Sequence, residues 1–177
     1  QGMDRSDLRF GCEGELMTPA WDVETQLVIV GAGGCGLMAA FAAASRGVEL
    51  VLLEKDTRLG SNTELASGSI AAAGTRFQRA VGIEGTTEQM ADDVLRKNHG
   101  QAEREIVLAL CRKALEVVDL LVDEVGLALT LNTDAGRFGQ SFLRMHNPPG
   151  RSGAPLVRAL HEALGRFSNV TFADKTP

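Results

Sequence analysis

A glycine-rich turn at residues 31–36 constrains the fold of this chain more than any other feature. Its sequence, Gly-Ala-Gly-Gly-Cys-Gly, follows a β-branched apolar run at residues 25–30 and precedes an alanine- and leucine-rich stretch at residues 37–45. The first run predicts a buried strand and the second a helix, which Gly47 ends because glycine readily adopts the left-handed conformation. Residues 48–53 predict a second strand. Together these segments predict a right-handed βαβ crossover with parallel strands.

The spacing of the glycines matches the pattern G-x-G-x-x-G of dinucleotide-binding turns, and each glycine has a mechanical reason. Gly31 permits the tight turn from strand to helix, and Gly33 removes the side chain that would block a pyrophosphate. Gly36 lets the helix pack closely on the strand. The pyrophosphate then lies at the N-terminus of the helix, where free N–H groups and a partial positive charge stabilise it. The predicted binding residues of the turn also include Ala32, Gly34 and Cys35.

An acid, Glu54, ends the second predicted strand 23 positions after Gly31. Its carboxylate can accept hydrogen bonds from ribose hydroxyls and would repel a 2′-phosphate, which disfavours an NADP-type ligand. The residues alone leave both FAD and NAD open as the ligand. In the alternative interpretation the glycines are only turn residues and Glu54 is a surface acid. The predicted strand and helix on either side of the turn favour the dinucleotide site.

The charge and cysteine content exclude several classes of function. The 177 residues carry a formal net charge of −5, which gives no basic surface for nucleic acid or an anionic membrane. Cys12, Cys35 and Cys111 are odd in number and form no CxxC pair, so a reducing, cytoplasmic compartment is expected rather than a disulfide framework.

No metal site is predicted, because the histidines lack ligand spacing. The uncharged run at residues 27–45 is long enough for a membrane helix, but its four glycines argue against one.

The chain divides into a short arm and one α/β domain. Residues 1–20 are interpreted as a tag remnant and N-terminal arm, and residues 21–177 as a Rossmann-like domain with a parallel sheet and flanking helices. Residues 55–85 are rich in small residues and have little periodicity, which predicts a loop that wraps a ligand. His146 lies in a second predicted loop, at residues 132–150, where it either contacts a ligand or is solvated.

Helical patterns follow the small-residue loop. Thr86 and Gln89 form a capping box that opens one helix. A longer helix comes next, and its apolar stripe predicts packing on the core of the same domain. The stripe consists of Ile106, Leu110, Ala114, Val117, Leu121 and Val125. A last helix at residues 155–167 carries His161, which is predicted to lie on the surface, and a strand at residues 169–173 follows.

Four segments outside the glycine turn carry a family resemblance. They are Glu-Lys at residues 54–55, Arg-Leu-Gly-Ser-Asn-Thr at residues 58–63, the small-residue run at residues 66–75 and a less specific match at residues 139–156. With them the chain resembles the N-terminal part of the succinate dehydrogenase and fumarate reductase flavoprotein family, which includes soluble fumarate reductases and ketosteroid dehydrogenases. The resemblance implies FAD rather than NAD, because in that family the segment matching residues 60–69 lies against the flavin diphosphate and ring. The further cofactor-binding residues that it implies are Lys55, Gly60, Ser61, Asn62, Thr63, Ala66, Ser67 and Gly68.

Two positions depart from the family pattern. Ser61 stands where the family usually has a second glycine. Asn62 stands where the members that bind FAD covalently have a histidine, so noncovalent FAD is predicted. The resemblance places the catalytic residues in a capping domain and a C-terminal return to the FAD-binding domain, both after Pro177. The 177 residues alone are therefore expected to be inactive and to bind FAD weakly or not at all.

The function that the resemblance implies is that of an FAD-dependent oxidoreductase, of which this chain is the FAD-binding part. Such an enzyme transfers hydride between flavin N5 and a C–C bond next to a carbonyl or carboxylate of a small-molecule substrate. Two alternatives stay open at the level of the sequence. One is an NAD-linked dehydrogenase with an ordinary dinucleotide fold. The other is a truncated, non-catalytic module that keeps the Rossmann-like fold as a scaffold.

Overall fold

The computed structural model describes residues 22–134, 136 and 138–176, so the predicted N-terminal arm lies outside the described residues. The strands in this part of the chain are β1 (Leu27–Val30), β2 (Leu50–Leu53), β3 (Ile70–Ala71), β4 (Thr130–Leu131), β5 (Met145–Asn147) and β6 (Val170–Ala173). The helices are α1 (Gly34–Ala44), α2 (Asn62–Leu65), α3 (Arg76–Ala80), α4 (Thr87–Lys97), α5 (Arg104–Leu120) and α6 (Ala154–Leu164). A π-helical turn at Leu121–Val125 continues α5.

The predicted βαβ unit is confirmed. β1 and β2 pair in parallel, with Val28 beside Val51, and β2 pairs in parallel with β6, which gives the strand order β1-β2-β6. Parallel neighbours need a crossover connection, and α1 supplies it between β1 and β2. A second sheet of order β3-β5-β4 is antiparallel. The predicted α/β class, with a parallel sheet and flanking helices, is therefore also confirmed.

One face of the parallel sheet is packed under α1 and α6. Leu50 and Leu52 of β2 are almost fully buried there, together with Leu37 and Phe41 of α1 and Leu160 of α6. Full burial of each such side chain stabilises the fold by about 1.5–3 kcal/mol before entropy is counted. This shared core holds α6 next to the glycine turn, because Ala32 of the turn packs in the same cluster.

The prediction that β1 is a wholly buried strand is wrong for two of its residues. Val28 is 54% exposed and Val30 is 82% exposed, whereas Leu27 and Ile29 pack against the core. Successive side chains of a strand point to opposite faces of the sheet, and α1 and α6 lie on the face that Leu27 and Ile29 share. The continuous apolar sequence of β1 therefore did not show that one face of the strand is buried and the other exposed.

The apolar stripe of α5 differs from the predicted stripe in the first half of the helix. Ile106 and Leu110 are exposed, whereas Val107 and Cys111 are buried in a cluster with Met90 of α4. The docking of α4 against α5 selects this face, which the sequence period alone did not specify. The last two residues of the predicted stripe are buried as predicted. Within the described residues, no helix is both long and apolar enough to cross a membrane.

The predicted loop at residues 55–85 contains more regular structure than expected. The short helices α2 and α3 and the strand β3 all lie in it. Each of these helices opens with a capping box, formed by Ser61 with Glu64 in α2 and by Thr75 with Gln78 in α3. The reciprocal hydrogen bonds satisfy N–H groups that a helix of one or two turns otherwise leaves open. The capping box predicted for α4 is confirmed.

A buried ion pair joins α4 to the segment before β5. Asp93 accepts hydrogen bonds from the guanidinium of Arg144 and from the N–H and hydroxyl groups of Ser141, at 2.8 and 2.9 Å, and it also pairs with Arg96. Asp93 is 2% exposed and Arg144 is 4% exposed. Burial by itself raises the pKa of Asp93, but the hydrogen bonds from Arg144 and Ser141 together hold that pKa well below its usual range. The carboxylate is therefore charged at neutral pH.

We predict that Asp93→Asn destabilises the fold far more than Asp92→Asn at the neighbouring position. Loss of the Asp93 charge leaves Arg144 buried without its counter-ion, which costs about 3 kcal/mol or more, whereas Asp92 forms a solvent-exposed pair with Arg104 worth less than about 1 kcal/mol. Urea unfolding followed by circular dichroism measures both. Because the pKa of Asp93 is lowered in the folded state, the difference should be complete at neutral pH and shrink as the pH falls below about 4. Equal unfolding midpoints for the two variants would contradict a stabilising role for the buried pair.

Candidate functional site

The glycine turn connects β1 to α1 through a close approach of backbone to backbone. Gly31 has a φ of 95°, in the left-handed region that favours glycine, and its N–H donates to the carbonyl of Leu53 at 2.7 Å. A Cβ added to Gly36 would lie 1.9 Å from the carbonyl oxygen of Gly31. The packing of α1 on β1 therefore requires glycine at position 36.

Neither packing nor backbone conformation requires glycine at position 33. A Cβ at this position would come no closer than 3.8 Å to a protein atom, the Cβ of Ser61. Its φ of −75° and ψ of 177° are also accessible to any residue. The missing side chain instead keeps space open at the start of α1, where the first N–H groups and the positive end of the helix dipole lie. That arrangement fits a phosphate group that approaches the backbone closely.

Glu54 points toward the turn. One carboxylate oxygen accepts a hydrogen bond from the N–H of Ala32 at 2.6 Å, and the other accepts one from the N–H of Asp56 at 3.0 Å. These bonds, the one from Ala32 foremost, lower the pKa of Glu54, so the group is ionised at neutral pH. Each carboxylate oxygen has two lone pairs, so ribose hydroxyls can still donate to Glu54 while it braces the turn.

The segment after the second strand is held between α1 and α6. The hydroxyl of Thr63 accepts a hydrogen bond from the N–H of Gly34 at 3.0 Å. The N–H of Gly153, just before α6, donates to the carbonyl of Ala66 at 2.8 Å. A Cβ on Gly153 would lie 1.7 Å from the carbonyl oxygen of Thr63, so this contact also requires glycine. The segment is thus positioned by both helices and lies beside the glycine turn.

A cavity of about 460 Å³ lies between the turn, this segment and α6. The predicted cofactor-binding residues that line it are Ala32, Glu54, Gly60 and Ser61. Two side chains of α6, Arg158 and His161, line the same cavity, although neither was predicted to contact a ligand. The predicted carboxylate and small residues therefore line one side of the cavity, and α6, which is more than 90 residues away in the sequence, lines the other.

The other predicted residues surround the cavity or lie apart from it. The exposed residues among them are Cys35, Lys55, Asn62, Ala66 and Ser67. Gly68 has a φ of 66°, and a Cβ there would lie 2.8 Å from both the Cγ of Pro148 and the carbonyl oxygen of Ser152. Gly68 is therefore needed for packing against the segment before α6. The structure does not bring these residues into one wall with Glu54.

Both expectations for His146 are wrong. Its ring is fully buried, with Nε2 at 2.8 Å from the hydroxyl of Thr75 and Nδ1 at 3.2 Å from the carbonyl of Ile70. Burial lowers the pKa of His146, so the ring is neutral at physiological pH. His146 is neither a solvated loop residue nor a ligand contact, because β5 places it inside the domain.

The surface position predicted for His161 is also corrected. The residue is half-buried on α6, with its ring edge-on to Phe172 at 5.4 Å between centroids. The helical spacing could have indicated this burial, because His161 lies on the same side of the helix as the buried Val157, Leu160 and Leu164. No group of three or more potential metal ligands occurs within the residues that the structure covers.

Comparison with known proteins decides the family. The family model of the FAD binding domain matches residues 26–176. The chain belongs to this family. A urocanate reductase of Eggerthella lenta is 31% identical over 155 residues, which cover 86% of this chain and 25% of that protein. A fumarate reductase (cytochrome) of Shewanella frigidimarina is 33% identical over 139 residues, which cover 77% of this chain and 24% of that protein.

Solved structures agree with this assignment of the FAD-binding domain. The open conformation of a flavocytochrome c3 fumarate reductase matches with a TM-score of 0.76 and 27% identity, over 85% of this chain and 26% of that chain. A 3-ketosteroid dehydrogenase from Rhodococcus jostii RHA1, at 24% identity, has the same fold with a TM-score of 0.76, over 91% of this chain and 40% of that chain. The predicted membership in the succinate dehydrogenase and fumarate reductase flavoprotein family is confirmed, and with it FAD rather than NAD as the cofactor. The domain spans about a quarter of the length of the curated relatives.

Proposed function

We propose that this FAD-binding domain is part of an FAD-dependent oxidoreductase of the fumarate reductase type that acts on a small-molecule substrate. Bound FAD supplies hydride transfer between its N5 and a C–C bond next to a carbonyl or carboxylate. Relatives that are named urocanate reductase, fumarate reductase and 3-oxosteroid 1-dehydrogenase support this reaction class. The chain would contribute cofactor binding, and the catalytic residues would come from other parts of the protein.

One observation carries the placement of the cofactor. The carboxylate of Glu54 lies 2.6 Å from the N–H of Ala32, beside a helix start that Gly33 leaves open. In this arrangement the diphosphate accepts hydrogen bonds from N–H groups at the start of α1 other than that of Gly34, which donates to Thr63. The adenosine ribose donates hydrogen bonds to Glu54. Gly60 and Ser61 line the same cavity and would border the cofactor on its other side.

The cofactor is proposed to be noncovalent, because Asn62 stands where covalently flavinylated members of the family have a histidine. An amide side chain lacks the nucleophilic ring nitrogen that forms this bond. We predict that acid precipitation of the FAD-loaded, full-length gene product releases all of the flavin into the supernatant, where its absorbance is measured. Flavin that stays with the precipitated protein would contradict the proposal.

We predict that Gly33→Val in the full-length gene product weakens FAD binding by about 100-fold or more, because the new side chain takes the space of the diphosphate. The melting temperature of the FAD-free variant should stay close to that of the FAD-free wild type, since a Cβ at position 33 comes no closer than 3.8 Å to a protein atom. Gly36→Ala, in contrast, should lower the melting temperature of the FAD-free protein by about 5 °C or more, through its clash with Gly31. Flavin fluorescence titration and thermal unfolding measure the two effects.

The control for Gly33→Val is Ala39→Val, which places the same side chain at an exposed position of α1 that is not a predicted cofactor-binding residue. This variant should bind FAD within about two-fold of the wild type. If Gly33→Val binds FAD as tightly as Ala39→Val does, the diphosphate does not lie at the start of α1.

A cytoplasmic location is also proposed, because neither Cys35 nor Cys111 forms a disulfide bond with another described residue, and exposed thiols such as Cys35 persist in a reducing compartment. Alkylation of intact cells with a membrane-impermeant maleimide tests this location. The proposal predicts that the protein stays unlabelled until the cells are lysed, and labelling of Cys35 in intact cells would contradict it.

A further inference from the structure

Arg158 lines the cavity but has no role in the proposed function as described above. It lies in the second turn of α6, lines the same cavity as Glu54, and has an exposed side chain. Among the described residues, neither a hydrogen bond nor an ion pair engages its guanidinium. The group is therefore available to a ligand.

The charge of the cavity wall creates a need for such a group. Three carboxylates, those of Glu54, Asp56 and Glu64, line the cavity. Asp56 is paired with Arg58 at 2.7 Å, and Glu64 accepts a hydrogen bond from the N–H of Ser61 at 2.6 Å. A diphosphate adds further negative charge at a distance where Coulomb repulsion from carboxylates is substantial. The partial charge at the start of α1 offsets only part of this repulsion.

The other basic side chains near the cavity are less suited to supply the missing charge. The guanidinium of Arg58 already makes two hydrogen bonds to Asp56, at 2.9 and 2.7 Å. His161 lines the cavity, but its ring is half-buried against Phe172. Arg158 is permanently charged and has a planar fork of donors, which matches the geometry of phosphate oxygens.

We propose that Arg158 binds the diphosphate of FAD and supplies the cationic wall of a cavity that is otherwise acidic. This inference rests on the proposed function, because it assumes that FAD occupies the cavity. The charge pair makes the affinity for diphosphate-containing ligands depend on Arg158, whereas the affinity for the nucleoside alone does not. Arg158 thereby favours FAD over ligands that lack a diphosphate.

The test uses the full-length gene product and three variants, Arg158→Gln, Arg158→Lys and Arg112→Gln. Arg112 is an exposed arginine of α5 that does not line the cavity, so its variant controls for the loss of one positive charge. The dissociation constants of FAD, ADP and adenosine are measured by calorimetry at two salt concentrations, and thermal unfolding checks the fold. We expect Arg158→Gln to raise the dissociation constants of FAD and ADP by about ten-fold or more and to make these constants less dependent on salt concentration.

The comparison of ligands separates a phosphate contact from a structural effect. Adenosine binding should change by less than about two-fold in every variant, Arg158→Lys should recover part of the ADP affinity, and Arg112→Gln should match the wild type. Equal losses for ADP and adenosine, or unchanged ADP binding in Arg158→Gln, would overturn the inference while leaving the proposed function intact. A wild-type protein that binds no FAD would overturn the proposed function itself, and the inference with it.

Discussion

The hydrogen bond from the N–H of Ala32 to the carboxylate of Glu54 is the interaction on which the site depends. It joins the end of β2 to the glycine turn after β1, so the turn and the acid share one fixed geometry. The same bond lowers the pKa of Glu54 and keeps the carboxylate charged. A carboxylate that already has its own N–H partners is held in place before a ligand arrives, and less conformational entropy is lost on binding.

Three glycines beside the site serve two separate purposes. Gly36 and Gly153 are required because backbone carbonyls lie where their Cβ atoms would be, and these contacts bring α1 and α6 close to the site. Gly33 meets no such neighbour, so its missing side chain leaves space rather than permitting a contact. Close backbone contacts therefore hold the elements around the turn, and the space at Gly33 lies at the positive end of a helix.

The local part of this arrangement could be predicted from the sequence, and the long-range part could not. The βαβ unit and the capping box of α4 follow from neighbouring residues, since strand, turn and helix signals lie next to one another. The burial of Val107 in place of Ile106, the enclosure of His146 and the exposure of Val30 depend on which elements dock against each other. The contribution of α6 to the cavity was not predicted for the same reason. Residues 54 and 158 line the same cavity only because α6 packs on the core.

We propose that a diphosphate binds at the start of α1 and that the adjoining ribose contacts Glu54. A titration of the ¹⁵N-labelled chain with ADP, followed by ¹H–¹⁵N correlation spectra, tests it residue by residue and detects even weak binding. Diphosphate binding at this position should cause saturable shifts of the amide signals of Ala32, Gly33 and Gly34, with the signals of α4 unchanged. Saturable shifts confined to other parts of the domain, with the turn unaffected, would contradict it.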